Sequence, residues 1–365
     1  MAYLIGTDEA GYGPNFGPLV VSATVWQVPD DLNHADLYAA VKDCITPWPK
    51  HLNRPGSLKK SKKKKASKRA AKKKVKKKTT KRRIRIDPRI WIADSKQLYK
   101  PGNTKRGLAG LERGVLAAIA TSHDNRPDSP PQDWHELWQT LCGHDHDSMQ
   151  QLPWYRDFDE QLPINVAHDE AVVAADRLAE GLDAVDIRLC RIRSRAIDAS
   201  QFNELLSKHE NKSEVLSHVT LGLAAEQIAW IQSTDAPQPI RVLCDKHGGR
   251  NHYAALLNHY FPDHFVEVGT ESRAASHYQV RSPKSPIEFS FQAKADNILA
   301  VGLASMTSKY LRELAMRSFN SFWRTHDAEL RPTAGYPADA KRFKRQIASV
   351  QASLGITDRS LWRDR

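Results

Sequence analysis

The beginning of the chain narrows its possible folds more than any other stretch. Two apolar, strand-like runs, Tyr3–Ile5 and Leu19–Val25, flank the segment Gly11-Tyr12-Gly13-Pro14-Asn15-Phe16-Gly17-Pro18. Glycine, proline and asparagine at this density are turn punctuation, so the runs read as two strands joined by a tight reversal. Asp8 and Glu9 then fall where the first strand is expected to end. Successive side chains on a strand point to opposite faces, so one carboxylate can aim into a cleft while the other's side chain or carbonyl approaches from the flank. Gly11 and Gly13 would let the backbone come close to a bulky ligand. The Gly-Tyr-Gly spacing lacks the third glycine and the helix start of a dinucleotide fingerprint. Taken alone, the acidic pair is equally a solvated hairpin end; acids at other element ends give it meaning.

The net charge of +13 is one local device, because seventeen lysines and arginines lie between Lys59 and Arg83 with no acid among them. Without that run the total falls from +13 to −4. So dense a basic run cannot build a core and repels itself, so it is expected to be disordered when free. It is either a solubilising insertion or an arm that neutralises phosphates. No apolar run approaches the ~20 residues of a membrane helix, and no signal peptide is evident, which implies a cytoplasmic protein without a membrane partner. Cys44, Cys142, Cys190 and Cys244 show no Cys-x-x-Cys spacing and read as reduced thiols.

Further along, Ile84–Ile86 and Ile90–Ile92 alternate as strands do and lead into Asp94-Ser95-Lys96, an acid at a strand end followed by a helix cap. Helical spacing follows through Leu108, Leu111, Val115 and Ile119. The stretch 123–163 reads as a second insertion with a helix near Trp134–Leu141, and its Cys142–Asp147 cluster fits no standard metal spacing. Helix over Ala167–Leu182, strand over Val185–Ile197, helix over Gln201–Leu206 and a longer helix through Leu216–Ile231 are expected next. Ile240–Cys244 is a buried-type strand ending in Asp245, with a glycine turn and a helix over Tyr253–Tyr260 behind it. Phe265–Val268 and Ile287–Phe291 read as strands. The small-residue segment from Phe291 to Met306 opens a long helix with Asp296 in its first turn, and Ala338–Leu354 is a basic amphipathic helix.

Asp8, Glu9, Asp245 and Asp296 thus sit at element ends of one α/β core. If they meet, their repulsion raises their pKa values unless a divalent cation neutralises them. An all-oxygen set without histidine or cysteine favours Mg²⁺ or Mn²⁺, and such a site suits phosphodiester hydrolysis.

The Asp8-Glu9-Ala10-Gly11 motif, Asp94-Ser95-Lys96 and the strand ending in Asp245 resemble the type 2 ribonucleases H. The ribonuclease HIII branch is nearer: Gly11–Pro18, Phe202-Asn203, Asn211-Lys212-Ser213, Phe291–Asp296 with Ala304-Ser305, and Ala334-Gly335 with Asp339-Ala340 are similar to its motifs, in its order. The resemblance runs from Asp8 to Asp339 and leaves 29–83 and 123–163 unmatched.

This resemblance implies a ribonuclease H-like mixed sheet flanked by helices, one catalytic domain over 1–365, with insertions at about 29–83 (including the lysine-rich arm) and 123–163 and a C-terminal helical part from about 318 to 365. It implies a monomeric endonuclease that cleaves the RNA strand of RNA–DNA hybrids with Mg²⁺ or Mn²⁺. Asp8, Glu9, Asp245 and Asp296 would be catalytic metal ligands; Gly11, Tyr12, Gly13, Lys96, Asn203 and Asn211 would contact substrate. Three departures stand out. Tyr12 replaces the arginine of the HII branch, Asp296 replaces the glutamate of the HIII branch, and with Asp8 so near the first residue the HIII substrate-binding domain is expected to be absent, its place taken by the lysine arm. A non-catalytic nucleic-acid binder and a DNA nuclease on the same fold are the rival readings.

Overall fold

The computed structural model describes residues 1–47, 88–100, 107–124, 129–143, 145–234, 237–282 and 284–364. The lysine-rich run and the expected strand at Ile84–Ile86 lie outside them. Strands are β1 (Ala2–Ala10), β2 (Leu19–Val28), β3 (Ile45–Thr46), β4 (Ile90–Trp91), β5 (Arg188–Ile197), β6 (Ile240–Asp245), β7 (Phe265–Glu271), β8 (Ala275–Arg281) and β9 (Pro286–Gln292). Helices are α1 (Leu37–Ala40), α2 (Ser95–Leu98), α3 (Ala109–Thr121), α4 (Trp134–Cys142), α5 (Asp145–Gln150), α6 (Pro153–Arg156), α7 (His168–Asp183), α8 (Ala199–Lys208), α9 (Lys212–Thr234), α10 (Ala254–Tyr260), α11 (Leu299–His326), α12 (Pro337–Ser353) and α13 (Asp358–Leu361).

Seven strands form one mixed sheet in the order β5-β2-β1-β6-β9-β8-β7, flanked by helices as the sequence leads one to expect. β1 pairs antiparallel with β2 and parallel with β6, and β6 pairs parallel with β9. The central strands are apolar on both faces because both are covered. Ala2 and Leu4 of β1 join the core beneath α11, while Tyr3 and Ile5 join the core on the opposite face with α9 and α10. Period-two alternation thus feeds two cores from one strand.

The small residues of α11 let it lie almost on the sheet. Thr24 Oγ1 donates to the Ala300 carbonyl at 2.9 Å, and Trp26 Nε1 donates to Thr24 Oγ1 at 2.9 Å. Ser308 Oγ donates to the Asp8 carbonyl at 3.0 Å, which fixes the helix against the carboxylate-bearing end of β1.

Several boundaries differ from the sequence expectation. β1 does not stop before its acids: the ladder with β2 continues through Asp8↔Ser22, Glu9↔Val21 and Ala10↔Val20. The strand expected from Val185 starts at Arg188, because Val185 and Ile187 donate back to the Leu182 carbonyl and prolong the turn after α7. β8 has no counterpart in the sequence expectation, although Tyr278 and Val280 are buried at alternate positions along it. In the stretch read as a second insertion, Cys142 ends α4, α5 starts at Asp145, and Trp134, Trp138, Trp154 and Tyr155 are core residues. No helix among the described residues is long and apolar enough to cross a membrane.

Candidate active site

The parallel pairing of β1 with β6 determines the site. Thr7 lies opposite Cys244, so the next residues, Asp8 and Asp245, leave neighbouring strands at the same level. This is the carboxyl end of parallel strands, where open α/β sheets bind ligands. Asp8 is held in place by its own backbone: the Glu9 N–H donates to Asp8 Oδ1 at 2.8 Å. Burial pushes the Asp8 carboxyl well above its usual range, and Glu9 and Asp245 push the same way, against the Ser305 hydroxyl and the Glu9 N–H. Glu9 is pushed up to about 7, first by burial and then by Asp245.

Asp296 comes to this group by a route the sequence pattern does not show. It is not in the first turn of the long helix but in a separate 3₁₀ turn, Ala295–Asn297, ahead of α11. Lys294 at φ 64° enters this turn and the extended Ile298 leaves it, while the Ala295 N–H donates to Asp245 Oδ1 at 3.2 Å. Asp245 therefore anchors the turn that presents Asp296. The Asp296 carboxyl is raised by burial, then by Asp94 and Asp245.

Asp94 is the neighbour the sequence reasoning left out of the site. It caps α2 by accepting from the Lys96 N–H at 2.9 Å, which explains it locally, but its carboxylate also helps to raise the pKa of Asp296. Its place at a strand end was the available signal. Tyr38 is a second neighbour: its hydroxyl donates to the Ile92 carbonyl at 2.9 Å, and its pKa is raised by burial, Asp36 and Asp296. Lys96 brings a positive charge in among these acids. Burial lowers its pKa, but Asp94, Asp8, Asp296 and Asp245 together outweigh that and raise it.

The donor set of Asp8, Glu9, Asp245 and Asp296 is all carboxylate oxygen, which fits a hard divalent cation. As the side chains stand, no three acidic, histidine or cysteine groups among the described residues converge tightly enough to grip an ion.

The glycine loop borders the acids. A Cβ added at Gly248, where φ is +59°, would lie 2.6 Å from the Tyr12 hydroxyl and 3.2 Å from Ser213 Cβ, so Tyr12 packs on the turn after β6. Tyr12's pKa is raised by burial and Glu9 and lowered by Arg250. A Cβ on Gly13 would meet the Tyr336 ring at 3.8 Å. Gly11 at φ +93° leaves no space for a side chain, because Arg312 Nε and the Pro18 carbonyl would each be 2.5 Å from its Cβ. The turn after Asp245 is braced by buried His247, whose Nδ1 pairs with Ser217 Oγ at 3.0 Å and whose carbonyl accepts from Ser213 Oγ at 2.7 Å.

The two asparagines singled out by the sequence are placed differently. Asn211 sits before α9, its Oδ1 accepting from the Glu214 N–H at 3.1 Å, close to the Ser213–Gly248 contact. Asn203 is committed elsewhere: its Nδ2 donates to the Trp362 carbonyl and its Oδ1 accepts from the Asp364 N–H, both at 2.8 Å.

No known family profile and no curated protein matches the chain. Among solved structures, the ribonuclease HII of Archaeoglobus fulgidus, determined in complex with PCNA, superposes with a TM-score of 0.39 at 12% identity, covering 99% of this chain and 94% of that one. Ribonuclease H2 of Pyrococcus horikoshii gives a TM-score of 0.39 at 13% identity, covering 98% and 92%. A ribonuclease HIII designated Bst, solved with Mn²⁺, gives 0.38 at 12%, covering 99% of this chain and 66% of its own. Likenesses this loose say nothing about the chemistry.

Proposed function

We propose that this protein is an endoribonuclease of the type 2 ribonuclease H kind, nearer the HIII branch, which cleaves the RNA strand of RNA–DNA hybrids. The observation that carries the reading is the meeting of Asp8 and Asp245 at the ends of paired parallel strands, with Glu9 and Asp296 beside them. Asp8, Glu9 and Asp296, whose pKa values are raised, are costly to hold together, and such groups concentrate at functional sites. Asp8, Glu9, Asp245 and Asp296 would hold Mg²⁺ or Mn²⁺, which when bound supplies Lewis-acid stabilisation of phosphodiester hydrolysis.

The chain's own residues have separable tasks. Gly11, Tyr12 and Gly13 form a loop that a sugar–phosphate backbone can approach closely, since Gly13 is exposed and carries no side chain. Lys96 balances charge at the acids and reaches towards a phosphate. Asn211 stands at the rim. Contacts to the 2′-hydroxyl are what would select RNA over DNA. A pure binding protein is the weaker reading, because carboxylates gathered beside a phosphate path oppose binding unless they serve chemistry.

Digestion of matched RNA–DNA hybrid, RNA duplex and DNA duplex substrates with Mg²⁺ or Mn²⁺ tests the proposal. Cleavage confined to the RNA strand of the hybrid is expected. Cleavage of DNA duplex would make it a DNA nuclease, and binding without cleavage would make it a nucleic-acid binder.

A further inference from the structure

The buried side of the glycine loop is gripped by a residue from the far end of the sequence. Arg363 is fully buried. Its Nη2 donates to the Gly11 carbonyl at 2.6 Å and also to the Pro14 carbonyl. The main chain joins in: Arg363 N–H donates to the Asn15 carbonyl at 2.9 Å, and Asn15 Nδ2 donates to the Arg363 carbonyl at 2.8 Å. The guanidinium lies 4.9 Å from the centre of the Phe202 ring, and Trp362 packs edge-on against Phe16 at 5.2 Å. Asn203 holds the same segment from α8 through its contacts with Trp362 and Asp364.

We propose that Arg363 is a positioning residue that clamps the Gly11–Pro14 loop in the shape that receives the polynucleotide backbone. This rests on the functional reading above. A guanidinium is a poor choice for stability alone at this place. Its Nε and Nη1 have no protein acceptor among the described residues, and a second buried arginine, Arg312, supports the same loop through the Phe16 carbonyl at 3.3 Å. Two buried cations near each other cost folding energy that an apolar side chain on Phe202 would not. What the guanidinium alone supplies is a hold on two carbonyls that flank Tyr12 and Gly13. With those negative dipole ends turned onto a buried cation, they are kept from an incoming phosphate. The buried positive charge also favours a polyanion on the outer side of the loop. Asn203, read from the sequence as a substrate contact, acts in this arrangement through Trp362 and Asp364.

The test compares the intact protein with Arg363→Met and Arg363→Lys. Hydrogen exchange of residues 11–17 is measured without substrate, alongside the melting temperature, hybrid dissociation constant, KM and kcat. For Arg363→Met we expect exchange at 11–17 faster by about tenfold, hybrid KM and Kd raised by about tenfold, kcat within about twofold, and a melting temperature equal or lower because two carbonyls lose their donor. Arg363→Lys, which keeps a donor for both carbonyls, should recover part of the loss. If Arg363→Met does not fold, Arg363→Lys decides by the same readings, with smaller changes expected. Exchange at 11–17 equal to that of the unaltered protein would overturn the clamp whatever the substrate. Faster exchange with unchanged KM and Kd would overturn its part in substrate binding. An unaltered protein that neither binds nor cleaves hybrid removes the functional reading and the substrate half of this proposal, while the exchange data still judge the clamp.

Discussion

Gly6 on β1 and Ala300 on α11 are in backbone contact: a Cβ built on Gly6 would lie 2.3 Å from the Ala300 carbonyl carbon and 2.6 Å from its Cβ. The strand that carries Asp8 and the helix that follows Asp296 are thus locked together two residues from the site. Gly6→Ala should destabilise the protein by roughly 2–4 kcal/mol, since backbone cannot yield as a flexible side chain can. Chemical denaturation measures this; an unchanged midpoint would mean that the helix is not seated as described.

Asp245→Asn should abolish cleavage while hybrid binding survives. Asp245 both joins the carboxylate group and accepts the Ala295 N–H, a bond an amide oxygen can still make, so the Asp296 turn should persist. Removing one negative charge also reduces repulsion of phosphates. Near-normal turnover by the variant would sink the four-carboxylate site.

The site's titration predicts a sign for stability against pH. Glu9 is raised from 4.5 to about 7, so between those values the folded protein binds more protons than the unfolded chain. Stability then falls as pH rises through that window, fully present below the unfolded value and lost towards about 7. Asp8 and Asp296 shift in the same direction. Melting in chelator-containing buffer should show this decline, and millimolar Mg²⁺ should flatten it. A melting temperature that rises over the window would contradict the cluster.

Uniform hybrids should be cut in preference to duplexes with one embedded ribonucleotide. Tyr12, packed on Gly248, has no guanidinium fork to offer a backbone phosphate. Rates on the two substrates at equal salt decide the matter. Faster cutting of the single-ribonucleotide duplex would shift attention to Tyr336, which is exposed beside Gly13.

Deleting residues 59–83 should raise KM at moderate salt and leave kcat at saturation close to normal. The run contributes seventeen positive charges and no acid, so its contribution to binding is general electrostatics. Every phosphate that the shortened protein no longer neutralises should flatten the log–log salt slope by about 0.7–0.9. Identical slopes for intact and shortened proteins would show that the run does not touch substrate.

Much of this protein is determined locally and is therefore legible in its sequence. Short, near-continuous apolar runs specify β1, β2 and β6, 3.6-residue spacing specifies α3, α7 and α9, and the acids Asp8, Glu9 and Asp245 stand at strand ends because the chain places them there. The rest depends on how distant segments pack. Asp296 left its expected helix because Asp245, fifty residues earlier, captures the Ala295 N–H and forms a separate turn. Asp94 reads as a helix cap in sequence and becomes a site neighbour only when α2 docks beside that turn. The hold of Arg363 on Gly11, and of Asn15 on Arg363 across 348 positions, has no periodicity to announce it. Hydrogen bonds between distant residues depend on where the cores bring the chain together, and no local pattern encodes that.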